Sequence, residues 1–377
     1  MQENSLMIPP TSPAFVIDRQ QVQQSIECLN DLREQSGCRV LYSIKALPFM
    51  PLLEWLKPCV DGFSVSSLFE AKLASEVLDQ QQSIHLTTPG IKSDEVAELT
   101  QLCSHISFNS LSQRQLLSIA KQPLTSLGLR VNPKLSFAPD ERFDPCRLYS
   151  KLGVDINVIN ADMIRGLSGL HLHTVFSQCD YNPLLQTVAK LERQLGEHFA
   201  QLQWLNLGGG HLFKQIDDHQ AFIQLIRVLR ENYGLEIYIE PGKAVIDDAV
   251  TLMATVIDHF PSDGKTIAVL DTSINHNPEV FEYQRQPDIL QSDAQGTHKA
   301  ILVGSTCLAG DMFGEYSFKQ TLKVGDNICF SHVGAYTMVK ANRFNGYNYP
   351  DIYRLDTGVL ERLKHYDYDN YREYWRC

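Results

Sequence analysis

Long apolar runs are missing from this 377-residue sequence. No stretch approaches the ~18 residues that a membrane-crossing helix needs. Paired cysteines are missing as well. The nine cysteines are scattered, odd in number and never spaced as CxxC. That pattern argues against a disulfide scaffold and against a cysteine zinc site, so no metal is expected. It fits a reducing cytosol, and a cytoplasmic location is the expectation. The opening MQENSLMIPPTSPAF lacks a basic start followed by an apolar run, so no signal peptide is expected. Positive charge is in deficit, since 33 Lys and Arg face 44 Asp and Glu, a net −11. Nucleic acid and anionic membranes are therefore poor partners, whereas a small cationic substrate is compatible.

What is present is ample core material, with 44% hydrophobic and 20% charged residues. The length suits two domains. Eight short β-rich segments recur between residues 40 and 242: VLYSIKA, GFSVSS, SIHLTT, HISFNS, LGLRVN, GLHLHTV, WLNLGGG and EIYIEPG. The first five start about 21 residues apart, the room a βα unit needs. SSLFEAKLASEVLDQ, SDEVAELTQLC and LSQRQLLSIAKQ fill three gaps as helices, and Ser67…Glu70 reads as a capping box. A longer excursion, NPKLSFAPDERFDPCRLYS, follows the fifth strand. Eight such repeats predict a closed (β/α)8 barrel, with an open doubly wound sheet as the alternative. After residue 250 the texture changes to alternating apolar and polar strands with Gly, Asp and Asn turns and no convincing helix. An antiparallel all-β domain is expected there. The boundaries read as 20–248 for the barrel and 1–19 plus 249–377 for the β domain.

In such a barrel the chemistry sits at the C-terminal ends of the strands. Those ends carry Lys45, Ser66, Thr88, Asn109, Asn132, His173, Gly208-Gly209-Gly210 and Glu240. Each has a plain alternative. A lysine often marks where a strand meets solvent, a glycine triplet can be only a tight turn, and a lone histidine is usually a satisfied core residue. His171, two residues before His173, reads as structural. Yet the triplet follows the seventh strand, where barrels commonly bind phosphate. An amine, a phosphate cradle and a carboxylate together suggest pyridoxal 5′-phosphate. Lys45 would hold it as a Schiff base, and Glu240 would keep its ring nitrogen protonated.

Phe15-Val16-Ile17-Asp18, Tyr42-Ser43-Ile44-Lys45-Ala46, Gly208-Gly209-Gly210, Glu240-Pro241-Gly242 and Gly304-Ser305-Thr306-Cys307 resemble, as an ordered set, the fold type III pyridoxal-phosphate decarboxylases. That group includes ornithine and diaminopimelate decarboxylases and shares its architecture with alanine racemase. Asp61-Gly62-Phe63-Ser64-Val65-Ser66, Leu270-Asp271-Thr272-Ser273, Thr306-Cys307-Leu308-Ala309-Gly310-Asp311 and Tyr336-Thr337-Met338-Val339-Lys340 are most similar to the carboxynorspermidine/carboxyspermidine decarboxylases. The resemblance spans roughly residues 10 to 350. It implies a barrel followed by a β-barrel domain, a homodimer with shared active sites, and decarboxylation of a carboxylated triamine in polyamine biosynthesis. It also implies roles for individual residues. Lys45 would carry the cofactor, His173 would stack on its ring, Gly209, Gly210 and Tyr336 would bind its phosphate, and Glu240 would meet its ring nitrogen. Cys307 would act as a catalytic thiol in the partner's site. Glu240, Asp271 and Asp311 would serve the substrate. Lys151 would pair across the dimer interface, with Asp311 as its acidic partner.

Two departures bear on this. Many relatives carry arginine where this chain has Lys243, which offers a point charge without a bidentate fork. Leu308 stands where ornithine decarboxylases place an aspartate that binds the substrate's far amine. Diaminopimelate, ornithine or arginine decarboxylation and a non-catalytic cofactor carrier are the competing readings.

Overall fold

The computed structural model describes residues 7–118, 125–138 and 140–376. The chain divides into two compact units, Ser25–Ala244 and Met1–Gln24 with Val245–Cys377. Strand β1 (Ala14–Asp18) belongs to the second of these. The first unit contains β2 (Arg39–Ser43), β3 (Gly62–Val65), β4 (Ser83–Thr87), β5 (His105–Phe108), β6 (Ser126–Asn132), the two-residue β7 (Val154–Asp155), β8 (Gly169–His171), β9 (Trp204–Asn206) and β10 (Glu236–Ile239). Eight of them pair in parallel in the order β2-β3-β4-β5-β6-β8-β9-β10, and β10 pairs β2 again. The barrel is therefore closed, and the open-sheet alternative falls. β7 is a spur on β6. All eight expected segments are strands.

These strands are buried along most of their length, as parallel strands covered on both faces must be. Helices Asn182–Leu195 and Gln220–Tyr233 supply part of the cover. The first buries Leu184, Val188, Leu191 and Leu195 at helical spacing, and the second Phe222, Ile223, Ile226 and Leu229. Each such side chain contributes about 1.5–3 kcal/mol of burial. Near the strands' N-terminal ends Trp204 packs with Leu41 and Tyr238. It fits because Gly128 and Gly169 have no side chain, since a Cβ there would lie 2.3 and 2.0 Å from its ring carbons. Helix Leu68–Val77 starts as expected, with Ser67 Oγ accepting from Glu70 N. The glutamate reaches back to Ser66 N rather than Ser67 N. The helix expected at LSQRQLLSIAKQ covers Leu111–Ser118, and its remainder, 119–122, lies outside the described residues, as does the start of the N-terminal segment, 1–6.

The second unit adds β11 (Val250–Ser262), β12 (Lys265–Leu270), β13 (His298–Val303), β14 (Met312–Phe318), β15 (Asn327–Phe330), β16 (Asp351–Asp356) and β17 (Val359–Lys364). The path runs β14-β13-β12-β11-β1-β16-β17, with β15 on β11. Two hairpins turn on Asp263-Gly264 and Thr357-Gly358, pairs with positive φ that suit two-residue loops. The expected β domain is present, but its sheet is mixed, because β1 runs parallel to β16 and β12 parallel to β13. Pairing between segments so far apart in sequence leaves no local signal. Helices are present too, at Glu279–Tyr283, Thr337–Lys340 and Tyr368–Trp375. The last starts with a capping box of Asp367 and Asn370, a variant that a search for Ser/Thr with Glu does not find. Among the described residues no helix is long and apolar enough to cross a membrane.

Candidate active site

The C-terminal mouth of the barrel gathers the expected amine, imidazole and carboxylate. Lys45 sits in the turn just past β2. That turn is tied to the loop after β10, because Ser43 N–H donates to Pro241 O at 3.0 Å, and a Cβ on Gly242 would lie 3.1 Å from Ala46 Cβ. Burial pulls the Lys45 pKa down, Glu240 and Glu70 pull it up, and Arg130 adds to the lowering. The net shift is downward, toward the neutral amine that attacks a carbonyl.

Glu240 follows β10 directly and is 5% exposed. Burial alone would raise its pKa, but His171, Lys45 and Asn206 outweigh that and hold it below the usual carboxylate range. Asn206 Nδ2 donates to Oε1 at 2.8 Å, and His171 Nε2 is 3.4 Å from Oε2. This carboxylate stays ionised. His173 lies two residues past β8. Burial, Lys45 and Arg130 push its pKa well below normal, so the ring is neutral. Gly209 N–H donates to His173 Nδ1 at 3.1 Å, which leaves the ring proton on Nε2.

The glycine triplet is demanded by packing. A Cβ on Gly209 would lie 2.2 Å from Glu240 O, and one on Gly210 would lie 2.1 Å from Val175 O. The Gly209 N–H is used by His173, whereas no acceptor for the Gly210 N–H is found among the described residues. Lys243 places its ammonium 5.6 Å from the Phe176 ring centroid, and Phe176 stacks on Phe143 of the excursion at 5.3 Å. Asn109 anchors the segment just after the excursion, donating to Lys151 O at 2.7 Å and accepting from Gly153 N at 2.8 Å. The Lys151 side chain is exposed.

Cys307, Asp271, Asp311 and Tyr336 belong to the second unit. Cys307 is exposed on the loop between β13 and β14. Asp311 is 4% exposed and turned into that loop. It accepts from Ile274 N at 2.9 Å, from Thr306 N at 3.1 Å and from Thr306 Oγ1. This engagement speaks against Asp311 as a direct substrate ligand or an intersubunit ion-pair partner. Asp271 accepts from Thr255 N at 2.8 Å, and burial raises its pKa. Tyr336 adopts a left-handed φ of 67°, and burial with Glu279 and Asp247 nearby pushes its phenol up to about 12. Asp247, Asp248 and His332 bring ligand atoms within 4.8 Å of one another, a grouping the sequence reading passed over.

Residues 15–334 match the family described as pyridoxal-dependent decarboxylase, C-terminal sheet domain. The chain belongs to the pyridoxal-dependent decarboxylases. A carboxynorspermidine/carboxyspermidine decarboxylase from Campylobacter jejuni is 33% identical over 96% of this chain and 97% of its own. A carboxyaminopropylagmatine decarboxylase from Synechocystis is 33% identical over 98% and 97%. The crystal structure of carboxynorspermidine decarboxylase from Campylobacter jejuni complexed with norspermidine superposes with a TM-score of 0.86. That match is 31% identical and covers 97% of this chain and 100% of the other.

The decarboxylase's barrel suits pyridoxal phosphate on its own geometry. A depressed amine, an ionised buried carboxylate and a neutral imidazole converge there. Three members of this network escaped the sequence reading, and a fourth, His171, was read only as structural. Arg130 is 8% exposed inside β6, and its charge acts on Lys45, His171 and His173. An arginine two residues before the strand end, in an otherwise apolar run, was the available signal. Asn206 and His171 hold the two oxygens of Glu240. Glu70, found only as a helix cap, also acts on Lys45.

Proposed function

We propose that this decarboxylase acts on carboxynorspermidine or carboxyspermidine, giving norspermidine or spermidine. The observation that carries this is full-length similarity at 33% identity to an enzyme so named. The net charge of −11 fits a polycationic substrate. Carboxyaminopropylagmatine is a second reading, favoured by the Synechocystis relative at the same identity. It differs in ending with a guanidinium rather than an amine.

The residues divide the work as follows. Lys45 would hold the cofactor covalently through its amine. Gly210 and Tyr336 would serve the phosphate, and Gly209, by donating to His173, would fix the imidazole for contact with the cofactor. Glu240, kept ionised by His171 and Asn206, would hold positive charge on the ring nitrogen. When bound, the cofactor supplies an electron sink for the pair released as CO2 leaves. Cys307 would then return a proton to the substrate's Cα, and Asp271 would meet a substrate amine. In this reading two copies associate, Lys151 lies at their interface, and each Cys307 completes its partner's site. The eight described cysteines are free, which fits a reducing cytoplasm.

The test is CO2 release from carboxynorspermidine, carboxyspermidine, carboxyaminopropylagmatine, diaminopimelate and ornithine side by side. A triamine should lead in kcat/KM. The two triamines differ by one methylene, so their ratio should fall within about 10–200-fold. Faster turnover of diaminopimelate or ornithine would overturn the assignment.

A further inference from the structure

We propose that Asn345 is a positioning residue for Cys307. The proposal rests on the reading of Cys307 as proton donor, and on how three successive residues of its loop are held. Ser305 O accepts from Tyr347 Oη at 2.8 Å. Thr306 N–H donates to Asp311 Oδ2 at 3.1 Å. Cys307 N–H donates to Asn345 Oδ1 at 2.7 Å. Three different side chains thus hold one residue each. The loop is also tied at its base, where Gly304 N–H donates to Asp311 O at 2.8 Å and Ser305 N–H to Thr272 O at 3.1 Å.

Asn345 is the member that grips the cysteine itself. It comes from a turn 38 residues further on, Phe344–Gly346, and adopts φ 58°, ψ 14°. Asparagine is one of the few residues that accept this left-handed conformation readily. Within its own chain Cys307 is exposed, so packing there does not set its position before it enters the partner's site. A thiol that must deliver a proton to one carbon has to be held to about 0.5 Å. The hydrogen bond from its own N–H to a residue on a separate turn supplies that restraint.

The chemistry offers a readout that a merely structural role would not move. After CO2 leaves, a proton delivered to the substrate's Cα leads to the amine product, which the Lys45 amine would displace as it takes the cofactor back. A proton delivered elsewhere would, after addition of water, release a substrate-derived aldehyde in place of the amine and leave the nitrogen on the cofactor. A correctly held donor keeps turnover on the first branch.

Asn345→Gly keeps the left-handed backbone free of steric cost and removes the acceptor. Asn345→Asp keeps an acceptor oxygen in the same place. Amide hydrogen exchange at Cys307 should speed about 5- to 10-fold in the glycine variant, the loss of one hydrogen bond. Its kcat should fall about 10-fold or more, with KM near the wild-type value and a larger aldehyde fraction. Asn345→Asp should restore all of these. Should the glycine variant fail to fold, Asn345→Ser, whose hydroxyl is too short to reach, carries the same expectation. Faster exchange with unchanged kcat and product ratio would overturn the proposal, as would an aspartate variant that restores neither. Cys307→Ala separates the two levels. If that variant turns over normally, the reading of Cys307 fails. If it is impaired while Asn345→Gly is normal, only the role of Asn345 fails.

Discussion

His171 Nε2 lies 3.4 Å from Glu240 Oε2, and both residues are almost completely buried. The contact joins the strand that leads to His173 with the loop that carries the acid. It explains how a carboxylate with 5% exposure keeps its charge, because the other oxygen is held by Asn206 and Lys45 adds positive potential. Buried charges persist only when paired and hydrogen-bonded. Here the hydrogen bonds, from His171 and Asn206, are supplied within the barrel itself.

Glu240→Gln tests what that charge does. The substitution keeps size and leaves an oxygen for Asn206, but removes the charge that would face the ring nitrogen. kcat for CO2 release should fall about 10²- to 10³-fold, the usual cost of removing one preorganised electrostatic partner. The Lys45 amine should also titrate lower, because Glu240 is the chief group raising it. An unchanged kcat would separate Glu240 from the chemistry.

Lys45→Ala tests the covalent attachment. Burial dominates the shift at this amine, and the direction favours its nucleophilic form. The variant should lose the visible absorbance of lysine-bound cofactor and release no CO2. Absorbance and turnover both surviving would leave the barrel site without its central residue.

The eight barrel strands were legible because each is a short apolar run at a βα spacing, and their ends named Lys45, His173 and Glu240 directly. The supporting network was not. Arg130, Asn206 and His171 are polar residues inside strands, and only closure of the barrel decides what they face. The β unit was legible as strands but not as an order. β1 pairs with β16 across most of the chain, and Asp311 read as a ligand until its oxygens were found holding Thr306 and Ile274.

The barrel should be sensitive to acid through a stacked pair. The His85 and His105 rings lie 3.9 Å apart at 10°, against Tyr238 and Trp204. Ser83 Oγ and Ser104 Oγ hydrogen-bond the two rings. Burial lowers both pKa values, that of His105 from 6.5 to about 4. Between those values the unfolded chain binds a proton that the folded chain does not, so stability falls as pH falls through that window. For His105 the shift is worth about 3 kcal/mol. His211 and His276, also lowered to about 4, add to the slope. Unfolding followed from pH 7 to 4 should show this decline, and His105→Phe should flatten it. An identical slope in that variant would refute the assignment to the stacked pair.

Mixing one inactive and one impaired subunit tests the proposed sharing of sites. Lys45 and Cys307 belong to different units of the chain. If Cys307 serves the partner's barrel, a symmetric dimer built from Lys45→Ala and Cys307→Ala subunits contains one site with both substitutions and one with neither. Random pairing of equal amounts makes half the dimers hybrid, so about a quarter of all sites should be intact. Cys307→Ala alone should retain some CO2 release, reduced by about 10²- to 10⁴-fold as for other lost acid–base groups. The mixture, after exchange of subunits, should therefore recover about 25% of wild-type activity, far above either parent. If each barrel instead uses the Cys307 of its own chain, every site in every hybrid carries one substitution. Activity would then stay at the average of the parents.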